Sequence, residues 1–169
     1  MIVVRRAPLN TQRAILQFGP LRIRAAIGKA SITACKREGD GATPRAVMRL
    51  ISAFRRGDRA GQLSTTLPVT RIQDDMLWCD DPRHPAYNRK VRAPFSASHE
   101  TLKRKDSLYD VCVVLDWNIT SRKRGAGSAI FFHIARPDYA PTEGCVAISY
   151  RDMLTLMPHL HSGMRLQVL

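Results

Sequence analysis

The sequence predicts a mainly β fold with short helices, arranged as one mixed β-sandwich or barrel. Two observations favour it: apolar runs of four to six residues recur along the chain, and ten prolines and ten glycines separate them into brief segments. The chain has 169 residues, of which 44% are hydrophobic and 24% charged. This composition suits one globular domain over residues 1–169, and we expect its core to span about 14–169.

The first half of the chain is predicted to be strand-rich. Apolar residues flank the turn signal Gly19-Pro20, which predicts strand, turn and strand over 13–27. The apolar spacing of segment 46–54 suits either a short helix or a strand, and both remain open. The other predicted elements are a short strand at 28–33, a polar loop at 36–44, a loop at 55–62 and an irregular segment or strand at 69–79.

The second half is predicted to hold two buried strands that are nearly all apolar, at 111–116 and at 129–134. The latter ends around His133. The other predicted elements are a long ordered loop at 80–98, a helical turn at 99–105, a basic turn at 120–127, a loop at 136–144, a helix at 149–160 and a strand at 165–169.

The net charge of +13 must influence what the protein associates with. The basic residues are scattered and no nucleic-acid-binding motif is visible, so we do not expect nucleic acid as the partner. An anionic polymer such as the cell wall fits better, and a simple basic surface fits equally well. We expect no membrane span, because no apolar run approaches about 20 residues. No signal peptide is visible, since Ile2-Val3-Val4 is short and Arg5-Arg6 follows it.

The cysteines and histidines do not predict a metal site. None of the four cysteines belongs to a C-x-x-C pair, and His84, His159 and His161 do not form a ligand set. We therefore expect no metal and no cofactor. Cys112 lies within an apolar strand and is interpreted as a small buried hydrophobe.

His133 and Cys145 form the one pair that suggests catalysis. Acyl transfer by cysteine needs a thiolate, a base and donors for the oxyanion. Cys145 follows Gly144, and the loop from residue 134 is long enough to bring Cys145 beside His133. An imidazolium at His133 would then stabilise a thiolate. On pattern alone, a lone histidine and cysteine in one chain are more often structural or incidental than catalytic.

A wider pattern resembles the catalytic core of the YkuD-type L,D-transpeptidases. It comprises Ser128-Ala129-Ile130-Phe131-Phe132-His133, then Thr142-Glu143-Gly144-Cys145-Val146, and upstream Lys36 with Gly41-Ala42-Thr43-Pro44. The resemblance implies a mixed β-sandwich with Cys145 as nucleophile. It also implies His133 as a base oriented by a backbone carbonyl, and an oxyanion pocket shaped by Thr142, Glu143 and Gly144, with the N–H groups of Gly144 and Cys145 as donors.

The chain departs from the common family pattern at two positions near the cysteine. Glu143 replaces the usual histidine, and Ala147 replaces an arginine that many members have. It therefore resembles a short branch with Thr-Glu-Gly-Cys, associated with links from L-alanine to diaminopimelate. Further blocks that the branch shares are Trp78-Cys79-Asp80-Asp81, Tyr87-Asn88, Ser98-His99-Glu100 and Tyr109-Asp110.

The resemblance implies a thioester transferase acting on peptidoglycan stem peptides in the periplasm or cell wall. Hydrolysis of the same thioester would make the protein an L,D-carboxypeptidase or endopeptidase, and a non-catalytic cell-wall-binding module is a third alternative. Glu143 either binds the acceptor amine or acts as a loop acid paired with Arg136. The remaining candidates for substrate binding, each of which can also be an ordinary loop residue, are Arg83, Tyr87, Asn88, His99, Glu100, Tyr109 and Arg136.

Overall fold

Fourteen strands and one short helix make up the fold, and the computed structural model describes all 169 residues. The strands are β1 (Ile2–Arg6), β2 (Arg13–Phe18), β3 (Leu21–Ala26), β4 (Ile32–Thr33), β5 (Thr43–Pro44), β6 (Val47–Arg55), β7 (Val69–Arg71), β8 (Met76–Cys79), β9 (Arg89–Arg92), β10 (His99–Thr101), β11 (Val111–Leu115), β12 (Phe131–Ile134), β13 (Val146–Ile148) and β14 (Arg165–Val168). The helix α1 (Tyr150–Leu156) continues into a 3-10 turn at Met157–His159.

The main sheet closes on itself. Its strands follow the order β11, β12, β13, β3, β2, β1, β14 and β6, and β6 then pairs with β11. Most neighbours are antiparallel, whereas β1 with β14, β12 with β13 and β6 with β7 are parallel. This closed mixed sheet confirms the predicted fold class, and closure leaves few unpaired strand edges.

Two buried clusters occupy the two faces of the barrel wall. The larger has 28 residues, including Leu16, Met48 and Phe132. The smaller has 10 residues and lies between the wall and a three-stranded sheet formed by β10, β8 and β9. In this cluster the Trp78 ring meets the Phe131 ring edge to face at 5.1 Å between centroids. Such aromatic pairs stabilise the folded state by more than their buried area alone accounts for. The candidate active site lies against this packing.

The strand predictions for 13–27, 111–116, 129–134 and 165–169 are confirmed within a few residues. Of the two alternatives for 46–54, the structure shows the strand β6. Its residues Met48 and Leu50 are buried while Val47 is exposed, which is strand alternation. The predicted short strand at 28–33 is reduced to β4, and Ile2 and Val4 extend the core upstream of residue 14.

Four local predictions differ from the structure. The helical turn at 99–105 is wrong, because β10 pairs with β8 there. The long loop at 80–98 contains β9, and the polar loop at 36–44 ends in β5. The predicted helix at 149–160 begins with Ser149 capping the Asp152 N–H, but its α-helical part ends at Leu156, before Pro158. The short strands β5, β9 and β10 form through pairing with other segments of the chain, so their own residues give little sign of a strand.

No helix is both long and apolar enough to span a bilayer.

Candidate active site

His133 and Cys145 come from neighbouring strands of the barrel. β12 and β13 are parallel, with Phe132 opposite Val146 and His133 opposite Ala147. Cys145 directly precedes β13. Alternate residues of a strand share a face, so Phe131 and His133 lie on one side of β12. The Phe131 N–H donates to Cys145 Sγ at 3.3 Å, which places the cysteine on that side too.

This side of the wall opens into a cavity of about 290 Å³ that 20 residues line. The closed sheet and the 99–109 segment bring together residues that lie far apart in sequence. Seven of the predicted site residues line it: Glu100, Tyr109, His133, Arg136, Thr142, Glu143 and Cys145.

The Cys145 side chain is held as a thiol. Its Sγ donates to the Ala129 carbonyl at 3.3 Å while accepting from Phe131. Burial raises the pKa of the thiol to about 12, and the charge of Glu100 acts in the same direction; the Phe131 N–H, Lys36 and Arg104 lower it less. A buried thiolate would lack the hydration that stabilises it in water.

The His133 ring is neutral and fixed. Its Nδ1 lies 2.8 Å from the Ile134 carbonyl, and the Tyr109 ring packs edge to face against it at 5.3 Å. Because a carbonyl only accepts, Nδ1 carries the proton and Nε2 is the basic nitrogen. Burial lowers the pKa of His133 to about 4, against the opposing effect of the Ile134 and Leu108 carbonyls. The backbone carbonyl that the family resemblance implies is therefore present.

The pKa values of the two groups oppose the predicted thiolate–imidazolium pair. At neutral pH the pKa values near 12 for Cys145 and near 4 for His133 correspond to a thiol beside an uncharged imidazole. The prediction rested on the electrostatic attraction of the pair and could not include the burial of both groups. The arrangement suits proton transfer during attack instead of a preformed ion pair.

We expect alkylation of Cys145 to report this state. In a Cys35→Ser background, which removes the exposed thiol, the iodoacetamide rate at Cys145 should rise about tenfold per pH unit from pH 7 to 9, because only the thiolate reacts. Peptide mass spectrometry would separate Cys145 from the buried Cys79 and Cys112. A rate that is already level across neutral pH would instead demonstrate a preformed thiolate.

The turn before Cys145 is closed by Thr142. The Thr142 hydroxyl accepts from the Gly144 N–H at 3.1 Å and donates to the Cys145 carbonyl at 2.7 Å. Gly144 has a φ of +137°, and a Cβ there would lie 2.8 Å from the Ala42 carbonyl oxygen, so only glycine fits. The Gly144 N–H is thus used within the turn, and Gly144 does not line the cavity. The Cys145 N–H has no acceptor in the protein and is the free donor for a substrate oxygen.

The Thr43 segment supports this turn from behind. The Gly28 N–H donates to Thr43 Oγ1 at 2.8 Å, and Thr43 Oγ1 lies 3.5 Å from the Cys145 carbonyl oxygen. The Lys29 N–H donates to the Thr142 carbonyl at 2.8 Å. Thr43 therefore positions the cysteine without lining the cavity. Lys36 does line the cavity, with its side chain 97% buried and ion-paired to Asp40.

Glu143 pairs with Lys29 at 2.8 Å, not with Arg136. The predicted partner is wrong because the Gly28–Thr142 bridge brings Lys29 alongside the turn. Both side chains are more than half exposed, so this ion pair contributes little to stability.

Four predicted substrate residues lie outside the cavity: Arg83, Tyr87, Asn88 and His99. Arg83 is exposed and approaches only Asp81, at 3.7 Å. His99 is exposed and packs near the Phe95 ring. Tyr87 is buried, and its hydroxyl bonds to Glu38. Burial is the main reason that the pKa of Tyr87 rises, so the phenol stays neutral.

Asn88 has a structural role in this arrangement. Its Oδ1 accepts from the Trp78 indole at 3.0 Å and from the Ala129 N–H at 3.1 Å, and its Nδ2 donates to the Trp117 carbonyl at 3.0 Å. It thereby fixes Ala129, whose carbonyl accepts the Cys145 proton.

Five polar or charged residues that line the cavity were not among the predicted site residues: Lys36, Glu38, Asp80, Arg104 and Ser128. Arg104 bonds Asp106 through two 2.8 Å contacts and lies over the Tyr109 ring, 5.2 Å from its centroid. In the sequence it stands within Lys103-Arg104-Lys105, which looks like surface charge. Only the fold of segment 99–109 turns it toward His133.

Comparison with known proteins identifies the family of the chain. A family model described as the YkuD L,D-transpeptidase catalytic domain matches residues 9–168. Among solved structures, Mycobacterium tuberculosis L,D-transpeptidase 1 is similar, with 12% sequence identity and a TM-score of 0.44 over 99% of this chain and 58% of that one. No curated protein matches the chain. Since the family model covers nearly the whole length, the chain belongs to the YkuD family of L,D-transpeptidase catalytic domains.

Proposed function

We propose that the chain is a single-domain peptidoglycan L,D-transpeptidase in which Cys145 is the nucleophile and His133 the general base. One observation carries the proposal: the Cys145 thiol and the neutral His133 imidazole line one cavity. A backbone carbonyl fixes the imidazole. Family membership supplies the substrate class, the stem peptides of the cell wall.

The first step forms a thioester. As Sγ attacks the stem-peptide carbonyl next to an L-centre, His133 Nε2 takes the thiol proton. The free Cys145 N–H donates to the developing oxyanion. Collapse of the tetrahedral species expels the C-terminal part of the stem as an amine, which takes the proton from His133. Both groups start neutral, so no step requires a buried ion pair in advance.

The second step decides the product. Attack on the thioester by the side-chain amine of a diaminopimelate on a neighbouring stem gives a crosslink, and attack by water gives L,D-carboxypeptidase or endopeptidase activity. We propose crosslinking, because the cavity wall carries both carboxylates and guanidinium groups, and the acceptor stem is zwitterionic. Ionic groups of both signs can orient such a substrate, whereas water needs no such recognition.

We further propose that the donor carbonyl is that of L-alanine at position one of the stem, which gives a 1,3-link to diaminopimelate. The support is the Thr142-Glu143-Gly144-Cys145 motif together with Ala147, which lines the cavity opposite His133. The small Ala147 leaves space where many family members have an arginine. The substrate places the protein in the periplasm or cell wall.

The test is incubation of the purified protein with peptidoglycan, followed by identification of muropeptides by mass spectrometry. New dimers whose fragmentation shows an L-alanine to diaminopimelate bond support the full proposal. Dimers joined through two diaminopimelates would retain the transpeptidase and overturn the 1,3-link. Shortened monomers alone would assign a hydrolase, and wall binding without any new product would assign a binding module.

A further inference from the structure

Asp80 and Glu100 form a pair of carboxylates on the wall of the cavity that contains Cys145 and His133. β8 and β10 are antiparallel, with Cys79 opposite His99, and the Asp80 N–H extends this ladder to the Ser98 carbonyl at 3.2 Å. Asp80 therefore faces Ser98, and Glu100 is its diagonal neighbour on the same face. Diagonal neighbours lie within reach of each other's side chains, and both residues line the cavity that contains Cys145.

The protein pairs the negative charge of these carboxylates only in part. Asp80 Oδ1 is buried and accepts no hydrogen bond. Arg104 approaches Glu100 only to 3.6 Å, because it bonds Asp106 through two 2.8 Å contacts. A buried acceptor without a donor is costly, so a cationic donor that reached Asp80 and Glu100 would be stabilised there.

The proposed crosslinking reaction leaves one proton without a destination. The acceptor amine arrives as an ammonium, since an alkyl amine has a pKa near 10.4 in water. Forming the amide releases two of its protons. One returns through His133 to the Cys145 sulfur as the carbon–sulfur bond breaks, which restores the thiol. The other needs a second base, and His133 cannot hold both.

We propose that Asp80 and Glu100 bind the ammonium group of the acceptor stem and that Glu100 removes its first proton. This inference rests on the proposed transpeptidase function and deepens it by assigning the acceptor side of the cavity. Glu100 takes one proton from the ammonium, and the free amine attacks the thioester carbon. His133 takes the second proton as the carbon–nitrogen bond forms and delivers it to Sγ. Glu100 then releases its proton to solvent.

The surroundings of Glu100 suit this role. Burial raises the pKa of Glu100 above its ordinary value, and the charges of Asp80 and Glu143 act in the same direction. Arg104 and a hydrogen bond with Tyr109 oppose the increase. Glu100 also raises the pKa of Cys145, which shows that its charge acts across the cavity on the reacting sulfur. A carboxylate with a raised pKa is a stronger base than one in water.

The test separates the two half-reactions in Glu100→Gln. Acylation is followed as release of the leaving part of a stem-peptide donor, and aminolysis as dimer formation from an added stem-peptide acceptor. We expect acylation within about twofold of the wild type, and aminolysis at pH 7 lowered by about tenfold or more. The loss should shrink toward pH 10, where solvent deprotonates the amine. Asp80→Asn should raise the acceptor concentration needed for half-maximal aminolysis.

Two controls complete the design. Asp74→Asn removes an equal charge from an exposed carboxylate, paired with Lys103 and outside the cavity, and should leave both rates unchanged. Glu100→Asp, which keeps a carboxyl, should restore part of the aminolysis. Equal losses of acylation and aminolysis, an unchanged aminolysis, or a loss that persists at pH 10 would each overturn the proposal. A wild-type protein that never forms a thioester would instead overturn the proposed function itself.

Discussion

Replacement of Cys145 by alanine should eliminate thioester formation and lower crosslinking by about 10³-fold or more, because no other group on the cavity wall can replace the sulfur. His133→Gln, which keeps most of the ring volume, should lower acylation by about 10²- to 10⁴-fold through loss of the base. The measurement is intact-protein mass spectrometry for the thioester, with muropeptide analysis for the product.

The combination of these variants tests whether the two residues act as a unit. The double variant should be no slower than Cys145→Ala alone, since a base without its nucleophile contributes little. In the wild type, acylation should stay nearly level from pH 5 to 8 and fall as pH drops through about 4, where His133 becomes protonated. Circular dichroism provides the folding control. Crosslinks that persist in Cys145→Ala would refute the assignment of the nucleophile.

Gly28→Ala is expected to cause the largest loss of stability from adding a single methyl group, about 3 kcal/mol in the free energy of unfolding. A Cβ at Gly28 would lie 2.4 Å from the Gly41 carbonyl oxygen and 2.7 Å from the Thr43 nitrogen. Both are backbone atoms, so the segment itself must move. Because Thr43 Oγ1 accepts from the Gly28 N–H and lies against the Cys145 carbonyl, we also expect slower acylation.

The matched control for Gly28→Ala is Gly61→Ala. A Cβ at Gly61 would contact nothing within 4 Å, and its φ lies outside the left-handed region. Its substitution should therefore change the unfolding free energy by no more than about 0.5 kcal/mol, or raise it slightly. Urea denaturation of both variants measures the difference. Equal urea midpoints for the two variants would show that segment 41–43 can move away from the added methyl group without loss of stability.

The sequence predicted best where local pattern and physical cause coincide. The buried strands β11 and β12 are continuous apolar runs, and β2 and β3 flank a Gly-Pro turn, so their positions follow from composition alone. The motif around Cys145 likewise indicated the family. The strands β1, β5, β9, β10 and β13 were missed. The last four have only two to four residues each and form through pairing with another segment of the chain.

The residues of the candidate site divide in the same way, into those with a recognisable sequence pattern and those without one. His133 and Cys145 were identified in the sequence because a histidine in a buried strand and a cysteine after glycine form a recognisable pattern. Arg104 looks like an ordinary surface charge there, and Asp80 stands within a block shared with the family branch but was not named as a site residue. Tyr87 and Asn88 look like substrate residues, yet their side chains bond Glu38 and the Trp78–Ala129 region. The partner of a polar side chain depends on which segments meet.

The amino-acid sequence by itself predicted the fold class, the family and the two side chains that we propose to react, since these predictions depend on residue types and their spacing. Only the tertiary structure decided their charge. Closure of the barrel buries Cys145 and His133 together, and burial disfavours the ionised form of each, which opposes the predicted ion pair. Pairing of β8 with β10 places Asp80 and Glu100 on one face, and both line the cavity.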